Sequence, residues 1–132
     1  MSLSRLLTIA LSLAVVWSLL GLHRVDSADE TPRMLRHVVL FKFKDSVTSE
    51  QVDEVVQAFA ALPGKISEIK GFEWGTDVSV EQKSKGLTHG FVVTFASEKG
   101  RDTYLPHPEH QKFVKLVGPR LDDVLVFDFW AN

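Results

Sequence analysis

The sequence predicts a single α+β domain with a four-stranded antiparallel sheet and the element order β-α-β-β-α-β. Two observations predict it. Segments near residues 35–43, 72–80, 87–96 and 123–130 alternate side to side, as strands with two distinct faces do. Between the first and second of these, and between the third and fourth, apolar residues fall at helical spacing behind a capping residue. That order is a split βαβ of ferredoxin-like type.

In the first strand His37, Val39, Phe41 and Phe43 share one face, and Val38, Leu40 and Lys42 the other. Both faces are largely apolar, so both call for a cover. Thr48 and Gln51 make a capping box, after which Val52, Val55, Val56, Phe59 and Leu62 form an apolar helical stripe that Pro63-Gly64 ends. A less regular stretch with Ile66 and Ile69 leads to Gly71. There the second strand is expected to start, running to about Val80 with Phe72, Trp74, Thr76 and Val78 on one side. Glu81 to Gly86 is a charged loop. In the third strand His89, Phe91, Val93 and Phe95 face one way, and Gly90 on the other face marks a close approach of another backbone or ring. Ser97 caps a helical region to about Val117. It breaks at Leu105-Pro106-His107-Pro108, because proline removes a backbone donor and disfavours helix in the residue before it. The last strand sets Val124, Val126, Asp128 and Trp130 against Leu125, Phe127 and Phe129.

Of the 132 residues, 1–27 read as an export signal, 28–33 as a polar linker and 34–132 as the domain. Arg5 is the positive start and Leu6 to Leu22 the apolar stretch, while Val25 and Ser27 fit the small-residue rule for cleavage after Ser27. The mature protein is then periplasmic or extracellular, with no stable membrane association. The alternative is a membrane anchor formed by residues 6–22, a stretch just short of the roughly 20 residues that span a bilayer as a helix. The absence of cysteine excludes disulfide staples and lipid attachment through an N-terminal Cys. Removing Arg5, Arg24 and Asp26 with the leader turns 15 basic and 17 acidic side chains into 13 and 16, a net charge of −3 with no run of either sign. Nucleic acid is not an expected partner.

Polar groups stand where buried faces call for apolar ones: His37, His89, Tyr104 with His110, and Asp128. A buried polar group without partners costs roughly 2–7 kcal/mol, so these side chains are expected to meet one another. A pocket results, walled by Val39, Phe41, Phe59 and Phe91, that suits a small apolar ligand with a carbonyl or hydroxyl. A histidine whose other nitrogen is held by a carboxylate has a fixed tautomer and raised basicity, suited to removing a proton near a carbonyl. A tyrosine can then donate to the enolate oxygen as charge develops there. His110, Tyr104 and Asp128 are therefore the candidate catalytic set, with His37, His89, Val39, Phe41, Phe59 and Phe91 as candidate ligand contacts. The competing reading pairs Asp128 with His37 as a core polar cluster that His110 closes. Neither a cofactor nor a metal is called for: Pro108 stands between His107 and His110, and no thiol or carboxylate set joins them. His107 reads as exposed or as a helix cap, and Trp74 and Trp130 as packing residues.

Helices cover only one face of such a sheet. On the other, Val38, Leu40, Val92, Leu125, Phe127 and Phe129 are too apolar for water, and a homodimer packed sheet to sheet is the simplest cover.

The run Leu35-Arg36-His37-Val38-Val39-Leu40-Phe41-Lys42-Phe43-Lys44, the run Gly86-Leu87-Thr88-His89-Gly90, and Tyr104 followed by His107-Pro108-Glu109-His110 resemble the stress-responsive A/B barrel (Dabb) family of dimeric α+β barrels, over about 34–130. The resemblance implies a fold rather than one activity. Members include stress-induced plant proteins and a plant polyketide cyclase branch that closes an aromatic ring by aldol chemistry without metal or cofactor. Similarity to that branch implies an acid/base histidine at His110, a catalytic tyrosine at Tyr104, pocket histidines at His37 and His89, and at Asp128 the carboxylate that orients the acid/base imidazole. A pocket tyrosine of the branch falls on Phe59 here, so its substrate choice is not implied. Three functions compete on these grounds: a module binding a small apolar or aromatic molecule, a cofactor-independent polyketide-cyclase-like lyase, and a purely structural dimeric module.

Overall fold

The computed structural model describes residues 32–132. The export signal, its alternative as an anchor and nearly all of the 28–33 linker lie outside the described residues. The sheet runs β2-β3-β1-β4, where β1 is Leu35–Phe43, β2 Ile69–Thr76, β3 His89–Phe95 and β4 Leu121–Trp130, and every neighbouring pair is antiparallel. Among the described residues, three α-helices lie on one face: α1 (Ser49–Ala60), α2 (Glu98–Tyr104) and α3 (Pro108–Val117). This is the expected ferredoxin-like α+β arrangement, with β1 at the centre.

Local chemistry sets the helix boundaries. Gln51 N–H donates to Thr48 Oγ1 at 3.2 Å and Thr48 N–H to Gln51 Oε1 at 3.0 Å, the reciprocal capping box that opens α1. Ser97 Oγ accepts from Gly100 N–H at 3.1 Å and starts α2. Pro108 occupies the first turn of α3, and the His107 ring caps it by accepting from Glu109 N–H at 3.1 Å. The apolar stripe of α1 packs on the helix-facing sides of β1 and β3. Phe59 is buried, with ring centroids 4.7 Å from Phe91 and 4.4 Å from Phe113. Truncating such a ring to alanine costs about 3–5 kcal/mol.

Several strand boundaries differ from expectation. β2 ends at Thr76, not near Val80, because the Asp77 carboxylate accepts from Ser79 N–H at 2.9 Å and turns the chain out of the sheet. Val78 and Val80 consequently stand 89% and 94% exposed, and Gln82, Lys85 and Gly86 take positive φ. β2 also begins earlier, at Ile69, with a register irregularity before Gly71. β4 starts at Leu121 because a short 3-10 turn, Gly118–Arg120, runs straight into it.

The far face of the sheet carries no helix. Leu125 and Phe129 there are 43% and 42% exposed, and Phe127 61%. Gly90 pairs with Leu40 on this face, and a Cβ at position 90 would sit 3.1 Å from Leu40 Cδ2. The close approach expected at this glycine therefore comes from a leucine side chain.

Candidate functional site

Register builds the first half of the site. β1 and β4 pair so that His37 lies directly opposite Asp128 on the helix-facing side. His37 Nδ1 stands 2.7 Å from Asp128 Oδ1. An ionised carboxylate only accepts, so Nδ1 carries the hydrogen and Nε2 is the nitrogen left for other partners. The other carboxylate oxygen accepts from Arg101 Nη1 at 3.0 Å, reaching across from α2. Arg101 also donates from Nε and Nη2 to Asp102 Oδ1, at 3.1 and 3.0 Å.

The second half comes from the proline break. α2 ends at Tyr104, a fully buried side chain whose ring centroid is 4.2 Å from His110, 5.1 Å from Phe95 and 6.0 Å from His37. Its hydroxyl is buried with no hydrogen-bond partner among the described residues. Burial pushes the phenol well above its ordinary pKa, so Tyr104 is a hydrogen-bond donor rather than a base. His110 Nδ1 lies 2.8 Å from the Leu105 carbonyl, which also accepts from Gln111 Nε2 at 2.7 Å. A carbonyl cannot donate, so Nδ1 holds the hydrogen and Nε2 is the basic nitrogen. Burial pulls the His110 pKa below its usual value; the Leu105 carbonyl opposes this, and His37 and His107 reinforce it.

The pairing corrects one expectation. The resemblance puts the Asp128 carboxylate behind His110, whereas the structure puts it behind His37, as the competing reading has it. Strand register brings Asp128 to His37, and His110 is oriented by a backbone carbonyl that the proline break leaves available.

Between sheet and helices lies a cavity of about 530 Å³. His37, Arg101, Tyr104, His110 and Asp128 form its polar side, and Val39, Phe41, Phe59, Phe113, Val117 and Val126 its apolar walls. Val124 and Val126, 47% and 56% exposed, leave it open beside β4.

His89 and Phe91 do not line it. His89 pairs in register with Phe41, four residues along β1 from His37, or about 13 Å at strand rise. Its ring sits edge-on to Phe43 at 5.2 Å and shares a 2.9 Å hydrogen bond with Thr88. It borders a second depression of about 460 Å³, which includes Val38, Leu40 and Val92 of the bare face and residues of the 77–88 loop. Phe91 backs the cavity wall, 5.1 Å from Phe41 and 4.7 Å from Phe59. Arg101 was not anticipated from sequence. The available signal was its place three residues before Tyr104, on the same face of a capped helix.

The profile of the Stress responsive A/B Barrel Domain matches residues 35–131. The chain belongs to the stress-responsive A/B barrel domain family. The stress-response A/B barrel domain-containing protein HS1 of Arabidopsis thaliana is 39% identical over 101 residues, 76% of this chain and 93% of that protein. Olivetolic acid cyclase of Cannabis sativa is 33% identical over 95 residues, covering 72% and 94% respectively. Among solved structures, the hydroxynitrile lyase from Passiflora edulis has a TM-score of 0.73 at 27% identity, covering 76% of this A/B barrel chain and 95% of that one. A dimeric ferredoxin-like protein of unknown function from Thermobifida fusca has a TM-score of 0.66 at 29% identity, covering 76% and 93%. The family and fold expected from the sequence are borne out.

Proposed function

We propose that this A/B barrel protein binds a small, largely apolar molecule bearing a carbonyl or hydroxyl in the cavity between His37 and His110, and moves a proton on it as a cyclase or lyase. The observation that carries the reading is the Tyr104 hydroxyl: buried and without a hydrogen-bond partner among the described residues, on a side chain that lines the cavity beside His110, whose Nδ1 is the nitrogen held by the Leu105 carbonyl. A buried hydroxyl without a partner costs about 1–3 kcal/mol, which a substrate oxygen recovers by accepting from it. His110 Nε2 takes the proton from the carbon next to the carbonyl, while Tyr104 donates to the carbonyl oxygen as it gains charge. In a ring closure the resulting carbanion attacks a second carbonyl of the same molecule, and the alkoxide formed recovers the proton from the His110 imidazolium. Bond cleavage by a lyase runs the same transfers in reverse. His37, held by Asp128, offers a further polar contact at this end. Two similar proteins are by name a cyclase and a hydroxynitrile lyase, which supports the reading.

The proposal also includes export by the leader, and a homodimer formed through the bare sheet face. Exposed Phe127 and neighbours described as dimeric support the dimer.

The test offers the purified protein a panel of polyketide-like β-ketones and of cyanohydrins, following product. His110→Ala and Tyr104→Phe should each lower turnover at least a hundredfold while the fold persists. Equal turnover by the variants overturns the catalytic claim. Absence of both turnover and any ligand-induced shift in the His110 ring resonances overturns the binding claim as well.

A further inference from the structure

Two apolar features have no role in the chemistry above: the bare sheet face, and the half-exposed Trp74 on the edge strand β2. Strand register lays the sheet out in rows that cross it from β2 to β4. On the bare face one row reads Gly75, Gly90, Leu40, Leu125, so two leucines stand at one end and no side chain at the other. The empty end coincides with the depression of about 460 Å³, which Gly75 and Gly90 line. On the helix-facing side the adjoining row reads Trp74, Phe91, Val39, Val126. Trp74 lies against Phe91, with ring centroids 6.3 Å apart and planes 21° apart, while the half-exposed Val126 stands at the open side of the cavity. We infer that two copies of the chain pack bare face to bare face about a two-fold axis parallel to the strands, between β1 and β3, and that the partner's Trp74 thereby covers the open side of each cavity beside Val126. The inference rests on the homodimer proposed above, and adds its orientation and the consequence for the site.

The glycine–leucine row decides the orientation. Sheets packed face to face keep their strands aligned within about 30°, so a two-fold axis in the interface runs either along the strands or across them. An axis across the strands sets β4 on β4 and β2 on β2, so that leucine meets leucine and glycine meets glycine. The depression is then doubled and left unfilled, and atoms lining a void forfeit their dispersion contacts. An axis along the strands carries β4 over the partner's β2, and β1 over its β3, while leaving each residue at its own level. Leu125 then stands over the partner's Gly75 and Leu40 over the partner's Gly90, in both directions at once, as an isologous interface requires. A Cβ at position 75 would meet nothing within 4 Å in its own protomer, so the space is there to be filled. Glu73, on the same face, is exposed on the edge strand, where its carboxylate keeps its water at the rim.

The same rotation brings the outer strands together. β2 and β4 are the edge strands of the sheet and run in opposite directions, so β4 of one protomer and β2 of the other meet as antiparallel edges. At the level of Val126 that edge carries the partner's Trp74, on the helix-facing side as Val126 is. The indole closes the gap beside β4, and a large apolar side chain left half-exposed in one protomer becomes buried in the pair. Substrate bound in the cavity is then enclosed by both copies.

The chain has no cysteine, so introduced thiols are the only ones present. Within one protomer positions 74 and 126 lie three strand spacings apart, about 14 Å, so a short bismaleimide joins them only across the interface. The double variant Trp74→Cys with Val126→Cys should give a covalent dimer on a denaturing gel, and neither single variant should. Leu125→Cys alone should also stay unjoined, because the two copies of β4 lie on opposite sides of the axis. Gly75→Leu is an independent measurement. It fills the hole that receives the partner's Leu125 and should weaken dimerisation about tenfold or more in sedimentation equilibrium, the scale of overpacking a close contact, with the circular dichroism spectrum unchanged. A covalent dimer of Leu125→Cys alone, the product of β4 against β4, overturns the inference. So does a dimeric double variant that is not joined, or a Gly75→Leu dimer as tight as the unsubstituted one. A chain that sediments as a monomer overturns the homodimer too, whereas the other failures leave it standing. None of these readouts requires a substrate, so failure here is distinguishable from failure of the proposed activity.

Discussion

Tyr104→Phe separates a working site from a core polar cluster because it removes one oxygen and leaves the packing intact. The Tyr104 ring contacts Phe95, His37 and His110 at centroid separations of 5.1, 6.0 and 4.2 Å, all available to phenylalanine. The hydroxyl itself has no partner among the described residues, so nothing in the folded protein is broken by its removal. A buried group that lost its water on folding and found no substitute is a net cost, and deleting it should stabilise the domain by about 1 kcal/mol. For a domain of this size that raises Tm by roughly 4–8 °C. The effect on chemistry runs the other way: losing a donor aimed at a developing oxyanion slows turnover by about 10²–10³-fold. Urea unfolding followed by tryptophan fluorescence reads the first quantity, and product formation the second. A variant destabilised by more than about 1 kcal/mol, with turnover unchanged, would refute the reasoning, since the hydroxyl would then be serving the fold.

Burial holds the folded-state pKa of His110 below the ordinary value of 6.5. Above that value both folded and unfolded chains carry it neutral. As pH falls below it the unfolded chain takes the proton first, so stability declines. His110→Gln should flatten this acid limb in a pH series of urea midpoints. Turnover by the unsubstituted protein should climb with pH through a midpoint below 6.5 and level off by neutrality, as a pH–rate profile would show. Phe127, 61% exposed on the bare face, is the position at which Phe127→Lys should halve the solution mass seen by sedimentation while leaving the circular dichroism spectrum unchanged. The proposed export signal predicts a mature protein whose mass starts at Ala28, and intact-protein mass spectrometry showing a start at Met1 would contradict it.

The fold was legible because its local signals agree. The capping box at Thr48 and Gln51, the serine cap at position 97 and the proline break each announce a boundary from a few adjacent residues. Strand alternation assigned faces correctly, so the buried side of β1, from Leu35 through His37, Val39 and Phe41, followed from the pattern. Val78 and Val80 misled for a related reason. They continue the alternation of β2, but Asp77, immediately before Val78, bonds its own neighbourhood and diverts the backbone, and a short-range carboxylate contact outcompetes β propensity at a sheet edge.

The site was legible as a set of residues but not as a set of pairs, and the reason lies in β4. Its two faces, Val124 with Val126 and Leu125 with Phe127, are both apolar and both 43–61% exposed. Hydrophobic patterning fixes register only where one face is buried and the other wet, because a slip then turns apolar side chains into water. Here a slip by two residues would preserve every face assignment, yet would move Asp128 from His37 to Val39 or Leu35 on the same side. What separates the observed register from its neighbours is therefore polar: the 2.7 Å contact between His37 and Asp128, with Arg101 on the second oxygen, and a 2.7 Å ion pair between Lys42 and Asp122 further along. Stranding a buried histidine and a carboxylate on apolar partners would cost several times what an exposed valine loses by moving, on the order of several kcal/mol. The groups that make the polar end of the cavity are thus the groups that align the strand forming its open side. Sequence reasoning offered Asp128 both His110 and His37 as partners, and the register, which follows from the pairing with His37, decides between them.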